Sequence, residues 1–136
     1  MPARILIIED NPDNLELMGF LLRAHGHFVL DAPDGETGVA LARSEGPDLI
    51  LCDIQLPRLD GYGVIRHLKS DAAWRRSPVV AVTAFAMVGD REKMLTAGFD
   101  GYLSKPIAPQ TFARDIDAFL PPQLRAGAPG AAPGNP

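Results

Sequence analysis

Cysteine is nearly absent from this chain: Cys52 is the only one in 136 residues, so no intramolecular disulfide can form. That usage suits a reducing compartment, where a fold is held by its core rather than by cross-links. Long apolar runs are missing too. The longest, residues 79–88, is interrupted by Thr83 and falls well short of the ~18 residues that cross a bilayer. The opening Met1-Pro2-Ala3-Arg4 lacks the apolar stretch and small-residue cleavage site of a signal peptide. Basic residues are neither in excess nor clustered. Thirteen Lys and Arg face 17 Asp and Glu, a formal charge of -4, which argues against nucleic acid as a partner. Neither G-x-x-x-x-G-K-[ST] nor G-x-G-x-x-G occurs, which makes a nucleotide or flavin module a poor fit. His25, His27 and Cys52 do not form a zinc-ligand spacing, and the two histidines read as surface polarity. The expectation is a soluble, cytoplasmic protein without membrane insertion.

What is present is a core. Hydrophobic residues make up 46% of the chain, enough for one folded domain. Short apolar runs alternate with helical patterns, which predicts an α/β fold with a parallel sheet covered on both faces. Strands are expected over 4–8, 28–31, 48–53, 78–82 and 101–104. The first helix begins near Asn11-Pro12, a good N-cap followed by a proline tolerated at N1, and ends at Gly26. Further helices are expected over 34–44, 62–70, 88–97 and 109–119. Residues 1–120 form the expected domain. Beyond it, 12 of the 16 residues 121–136 are Pro, Gly or Ala, a composition that reads as a disordered tail.

The expected strand ends carry the chemistry. Glu9 and Asp10 follow the first strand, Asp53 ends the third, Thr83 follows the fourth and Lys105 follows the fifth. In a doubly wound sheet these carboxyl ends share one edge, where ligands bind. Glu9, Asp10 and Asp53 would then stand close together. Clustered carboxylates repel unless a cation neutralises them, and Mg2+ is the natural candidate because it takes oxygen ligands. The backbone carbonyl of Gln55 could add another oxygen. An aspartate is a known phosphoryl acceptor. Asp53 would be the nucleophile, Lys105 would hold one phosphoryl oxygen and Thr83 another. Taken singly, each reads more simply: Asp53 as a solvated turn residue, Thr83 as a β-branched strand residue, Tyr102 as a packing aromatic. Cys52 reads as a small buried hydrophobe, and Trp74 as a packing or partner-contact residue.

The whole pattern resembles a response-regulator receiver domain of two-component signalling. The matching stretches are Ile5-Leu6-Ile7-Ile8-Glu9-Asp10-Asn11, Pro47-Asp48-Leu49-Ile50-Leu51-Cys52-Asp53-Ile54-Gln55-Leu56-Pro57, Asp60-Gly61, Val82-Thr83-Ala84 and Lys105-Pro106. Among stand-alone members the chain is similar to DivK-like regulators, through residues 80–87 and Ser104-Lys105-Pro106-Ile107. The resemblance implies a flavodoxin-like (βα)5 fold, strand order 2-1-3-4-5. It implies Asp53 as phosphoacceptor, Glu9 and Asp10 as the metal pair, Lys105 as the phosphate-contacting lysine, Thr83 and Tyr102 as the switch pair, and a cis bond before Pro106. Glu9 departs from the commoner aspartate, so its metal contact could run through water.

Function then follows as an expectation. A histidine kinase or histidine phosphotransfer protein phosphorylates Asp53, and the face of the fourth helix, fifth strand and fifth helix changes its binding. Arg91, Lys93, Tyr102, Gln110 and Arg114 are candidates on that face, for an effector protein or a second copy of the chain. At this length no DNA-binding or enzymatic output domain is expected, so output is expected through protein contacts. It is read as a phosphoacceptor switch, not an enzyme beyond its own phosphorylation and slow autodephosphorylation. A phosphate sink or relay without its own effector is the alternative. An aspartate-nucleophile phosphatase is more remote, because Gln55 stands where such enzymes carry their second acid.

Overall fold

The computed structural model describes residues 2–74, 76–84 and 89–125. Strands and helices alternate: β1 Arg4–Ile8, α1 Pro12–Ala24, β2 Phe28–Ala32, α2 Gly35–Glu45, β3 Leu49–Asp53, α3 Gly61–Lys69, β4 Val79–Thr83, α4 Asp90–Ala97, β5 Gly101–Ser104 and α5 Phe112–Asp117. The strands form one five-stranded parallel sheet in the order β2-β1-β3-β4-β5. β3 and β4 are buried along their whole length, as central strands covered on both faces must be.

Two apolar layers hold the helices to the sheet. One gathers Leu6, Ile8, Ile50, Cys52, Val79 and Ala81 under Val39, Ile65, Leu68 and Met94. The other gathers Ile5, Ile7, Leu49, Leu51, Val80 and Val82 under Met18, Leu22, Phe112 and Ile116. Alternate residues of each strand feed opposite layers. Trp74 is 7% exposed and belongs to the first layer.

Local chemistry sets the helix starts. Asn11 accepts from the N–H groups of Asp13 and Asn14, Asp34 from Thr37 and Asp60 from Gly63, each satisfying donors that the first turn leaves free. Gly26 and Gly46 take left-handed conformations, with φ of 99° and 52°, where the chain leaves α1 and α2.

The chain departs from the expected element bounds at its C-terminal end. α5 is shorter than residues 109–119. Phe112 and Thr111 donate to Ala108 in a turn ahead of it, and Phe119 and Leu120 close its end with i to i−3 bonds to Ile116 and Asp117. Val88, the expected start of α4, lies outside the described residues, and the described helix begins at Asp90 after Gly89. The first residues of the expected tail, up to 125, are described. Pro122–Leu124 forms a 3-10 turn, Leu124 packs on the second layer, and Arg125 Nε donates to Leu120 O at 3.0 Å. The expected disorder of residues 126–136 lies outside the described residues.

The histidine pair is not surface polarity. His27 is 4% exposed, and its Nε2 lies 3.1 Å from Asp117 Oδ1. His25 Nε2 lies 2.9 Å from Asp117 Oδ2, and the Ala3 N–H donates to His27 Nδ1 at 3.0 Å. Because Nδ1 accepts, a neutral His27 carries its proton on Nε2 and donates to Asp117. This network ties the start of β1 and the end of α1 to α5, at the amino edge of the sheet.

Candidate functional site

The register brings the expected residues to the opposite, carboxyl edge. Ile8 pairs with Cys52, Asp53 with Val82, and Thr83 with Ser104. Glu9, Asp53, Thr83 and Lys105 therefore leave the sheet at one level. Backbone bonds extend the alignment, from Glu9 N–H to Ala32 O at 3.0 Å and from Lys105 N–H to Thr83 O at 2.9 Å.

Three carboxylates converge there. Glu9, Asp10 and Asp53 each offer an oxygen, and these atoms lie within 4.8 Å of one another. Glu9 and Asp53 are buried, whereas Asp10 is exposed. The Lys105 ammonium reaches between the buried pair, 2.7 Å from Glu9 Oε1 and 3.0 Å from Asp53 Oδ2. Beyond that ion pair Glu9 Oε1 has no hydrogen-bond partner, while Oε2 accepts from Asn11 N–H at 3.1 Å. Asp53 Oδ1 accepts from Gln55 N–H at 3.0 Å, which folds the turn after β3 around the carboxylate.

The electrostatics follow from burial and this pairing. Burial pushes Glu9 up to about 7, against the Lys105 ammonium and the Asn11 N–H and with the help of Asp53's charge. Lys105 is also partly buried, which opposes its charge. Glu9 and Asp53 outweigh that and hold the ammonium above its ordinary value. Burial likewise raises the Cys52 thiol, whose S–H points to Asp53 O at 3.3 Å, so it is an inert neighbour rather than a nucleophile.

The expected switch residues lie beside this centre. Thr83 is 1% exposed at the end of β4. Tyr102, opposite Ala81, packs half-buried against the layer beneath α3 and α4. Neighbours in register point to the same face of a sheet, so Tyr102 and Thr83 share the α4 side. The Lys105–Pro106 peptide bond is cis. Sequence reasoning gave Asn11 as the cap of α1 but missed that its backbone N–H also orients Glu9. The Asn-Pro start of the helix was the only signal.

The arrangement can bind a hard cation and present Asp53 as a nucleophile. A buried glutamate whose Oε1 is met only by the Lys105 ammonium, beside two aspartates, fits a divalent oxygen-seeking ion such as Mg2+. Among the described residues no helix is long and apolar enough to cross a membrane.

Comparison with known proteins points the same way. Residues 5–117 match the response regulator receiver domain family. The polar-differentiation response regulator DivK of Brucella anthropi is 43% identical over 120 residues, covering 88% of this chain and 98% of the relative. The receiver domain of a Pseudomonas aeruginosa sensor histidine kinase, solved with magnesium coordinated in its active-site cleft, aligns with a TM-score of 0.78 and 38% identity, over 88% of this chain and 98% of that one. The chemotaxis response regulator CheY4 of Vibrio cholerae shares the fold at a TM-score of 0.82 and 22% identity, over 88% of this chain and all of its own.

Proposed function

Since the chain belongs to the response regulator receiver domain family, we propose that it is a DivK-type phosphoacceptor switch in the cytoplasm, charged on Asp53 by a histidine kinase or histidine phosphotransfer protein. The observation that carries this reading is Lys105 Nζ, 3.0 Å from Asp53 Oδ2 within a cluster of three carboxylates. Glu9, Asp10, Asp53 and the Gln55 carbonyl would hold Mg2+. When bound, the ion neutralises the carboxylates and the incoming phosphoryl oxygens.

The chain's own residues do the rest. A carboxylate oxygen of Asp53 forms the new bond to phosphorus as the donor's P–N or P–O bond breaks, and the leaving group departs with that electron pair. Gln55 N–H holds the carboxylate's orientation, and Lys105 follows the developing charge on a phosphoryl oxygen. Hydrolysis of the resulting acyl phosphate returns Asp53 and inorganic phosphate. Ala84, beside the Thr83 hydroxyl, is small and leaves the phosphoryl group open to donors and water. Thr83 then turns toward the phosphoryl group and Tyr102 packs inward behind it. This shifts a two-state equilibrium on the α4-β5-α5 face, where Arg91, Lys93, Tyr102, Gln110 and Arg114 meet an effector.

Beryllofluoride, a stand-in for the phosphoryl group, tests the switch by NMR in the presence of Mg2+. Amide shifts spreading from Asp53 to Thr83, Tyr102 and α4 are expected. Shifts confined to the turn around Asp53 would leave a phosphate sink and remove the effector.

A further inference from the structure

The turn 53–55 carries both the acceptor and the proposed carbonyl ligand, and it is held from two sides. From within, Gln55 N–H donates to Asp53 Oδ1. From behind, the first residue of α3 rests on it, and Gly61 N–H donates to Ile54 O at 2.9 Å. A Cβ added to Gly61 would lie 2.7 Å from the carbonyl oxygen of Asp53 and 2.7 Å from the Cα of Ile54. Both are backbone atoms, so no flexible side chain can swing aside to make room. Gly61 is not among the residues with positive φ, so its backbone suits alanine, and by helix propensity alone alanine would be welcome. The empty position is therefore required by contact with the acceptor turn and not by conformation.

We infer that Gly61 is a positioning residue: its missing side chain sets how deeply the turn 53–55 sits, and so where the Asp53 carboxylate and Gln55 carbonyl lie relative to Glu9 and Asp10. This rests on the phosphoacceptor reading above. Mg2+ demands near-octahedral oxygens at about 2.0–2.1 Å, and a nucleophile displaced by about 1 Å can lose roughly 100-fold in rate. A single methyl group behind the turn would act on both.

Three glycine-to-alanine variants separate this from general packing. A Cβ at Gly63, two residues along the same helix, meets the Leu59 side chain, which can move. A Cβ at Gly101, where β5 begins, meets the Phe119 ring, away from the carboxylates. Mg2+ titration, phosphorylation by acetyl phosphate at saturating Mg2+, and urea unfolding without Mg2+ are measured for each. For Gly61→Ala the expected result is Mg2+ binding weakened about tenfold or more and phosphorylation slowed by roughly 10- to 100-fold. Gly63→Ala retains both, and Gly101→Ala loses stability while retaining Mg2+ affinity.

Wild-type behaviour from Gly61→Ala overturns the inference, as does a loss of Mg2+ affinity in all three variants that merely tracks stability. Should Gly61→Ala fail to fold, the wild-type protein decides. Its Gly61 amide should shift with that of Gln55, along one saturation curve, as Mg2+ is added, and an unmoved Gly61 amide overturns the inference. Failure of the wild type to bind Mg2+ at all sinks the phosphoacceptor reading itself.

Discussion

Lys105 Nζ stands 2.7 Å from Glu9 Oε1, so the ammonium that should follow a phosphoryl group also pairs with a buried acid of the carboxylate cluster. Under the proposed function a proton, this lysine and a divalent cation would compete for Glu9.

The first prediction concerns pH. With Glu9 raised to about 7 from an ordinary 4.5, Mg2+ must displace a proton below that range. Affinity should fall up to about tenfold per pH unit below 7 and level off above it. The stability contribution has the opposite sign. A folded-state value above the unfolded one means the proton favours the fold; that contribution is complete below about 4.5 and is lost as pH rises through about 7. Mg2+ titrations and urea unfolding in chelator, each at pH 6 and pH 8, check both halves. Mg2+ affinity independent of pH would contradict the assignment.

Replacing the lysine separates its two roles. Lys105→Met should slow phosphorylation by acetyl phosphate by about 100-fold or more, as expected when a preorganised charge is removed from the reacting oxygens. Mg2+ affinity should rise, because a competing cation has left the carboxylates. Stopped-flow phosphorylation with a parallel Mg2+ titration reads both, and a fall in Mg2+ affinity would show that Lys105 is not the competitor.

Asp117→Ala should cost about 2–4 kcal/mol of stability, because it strips a buried acceptor from His25 and His27. Asp117→Asn should cost less. The buried Trp74, the only tryptophan, gives a fluorescence signal for urea unfolding. The rate of Asp53 phosphorylation should not change, since the network lies at the other edge of the sheet. A stability change within about 0.5 kcal/mol of zero, the range of ordinary surface substitutions, would make it a surface feature after all.

These cases show what the sequence could and could not carry. β3 and β4 were legible because strands buried on both faces need unbroken apolar runs, and Leu49-Ile50-Leu51-Cys52 and Val79-Val80-Ala81-Val82 are such runs. The convergence of Glu9, Asp10, Asp53 and Lys105 was legible because parallel strands send all their carboxyl ends to one edge. The ends of α5 were not, since Phe112, Ile116 and Phe119 keep a helical spacing whether the last turn is α or tightened. The role of His25 and His27 was hidden because their shared partner, Asp117, is about ninety residues away. Gly61 was visible as half of an Asp-Gly pair, but its contact with the Asp53 backbone appears only in three dimensions.

Thr83→Ala should still accept a phosphoryl group on Asp53 but should uncouple it from the α4 side. Phosphorylation should stay within about tenfold of wild type, while the Tyr102 ring signals no longer shift on beryllofluoride addition. A wild-type shift of Tyr102 in this variant would show that the hydroxyl does not transmit the switch.

The most direct measurement is the intact mass after incubation with acetyl phosphate, for wild type and Asp53→Asn, each with Mg2+ and with chelator. One phosphoryl adduct is expected on the wild type in Mg2+ and none in the other three samples. An adduct that persists in Asp53→Asn would contradict the assignment of the acceptor, and its absence from folded wild type across a range of donors would contradict the phosphoacceptor function.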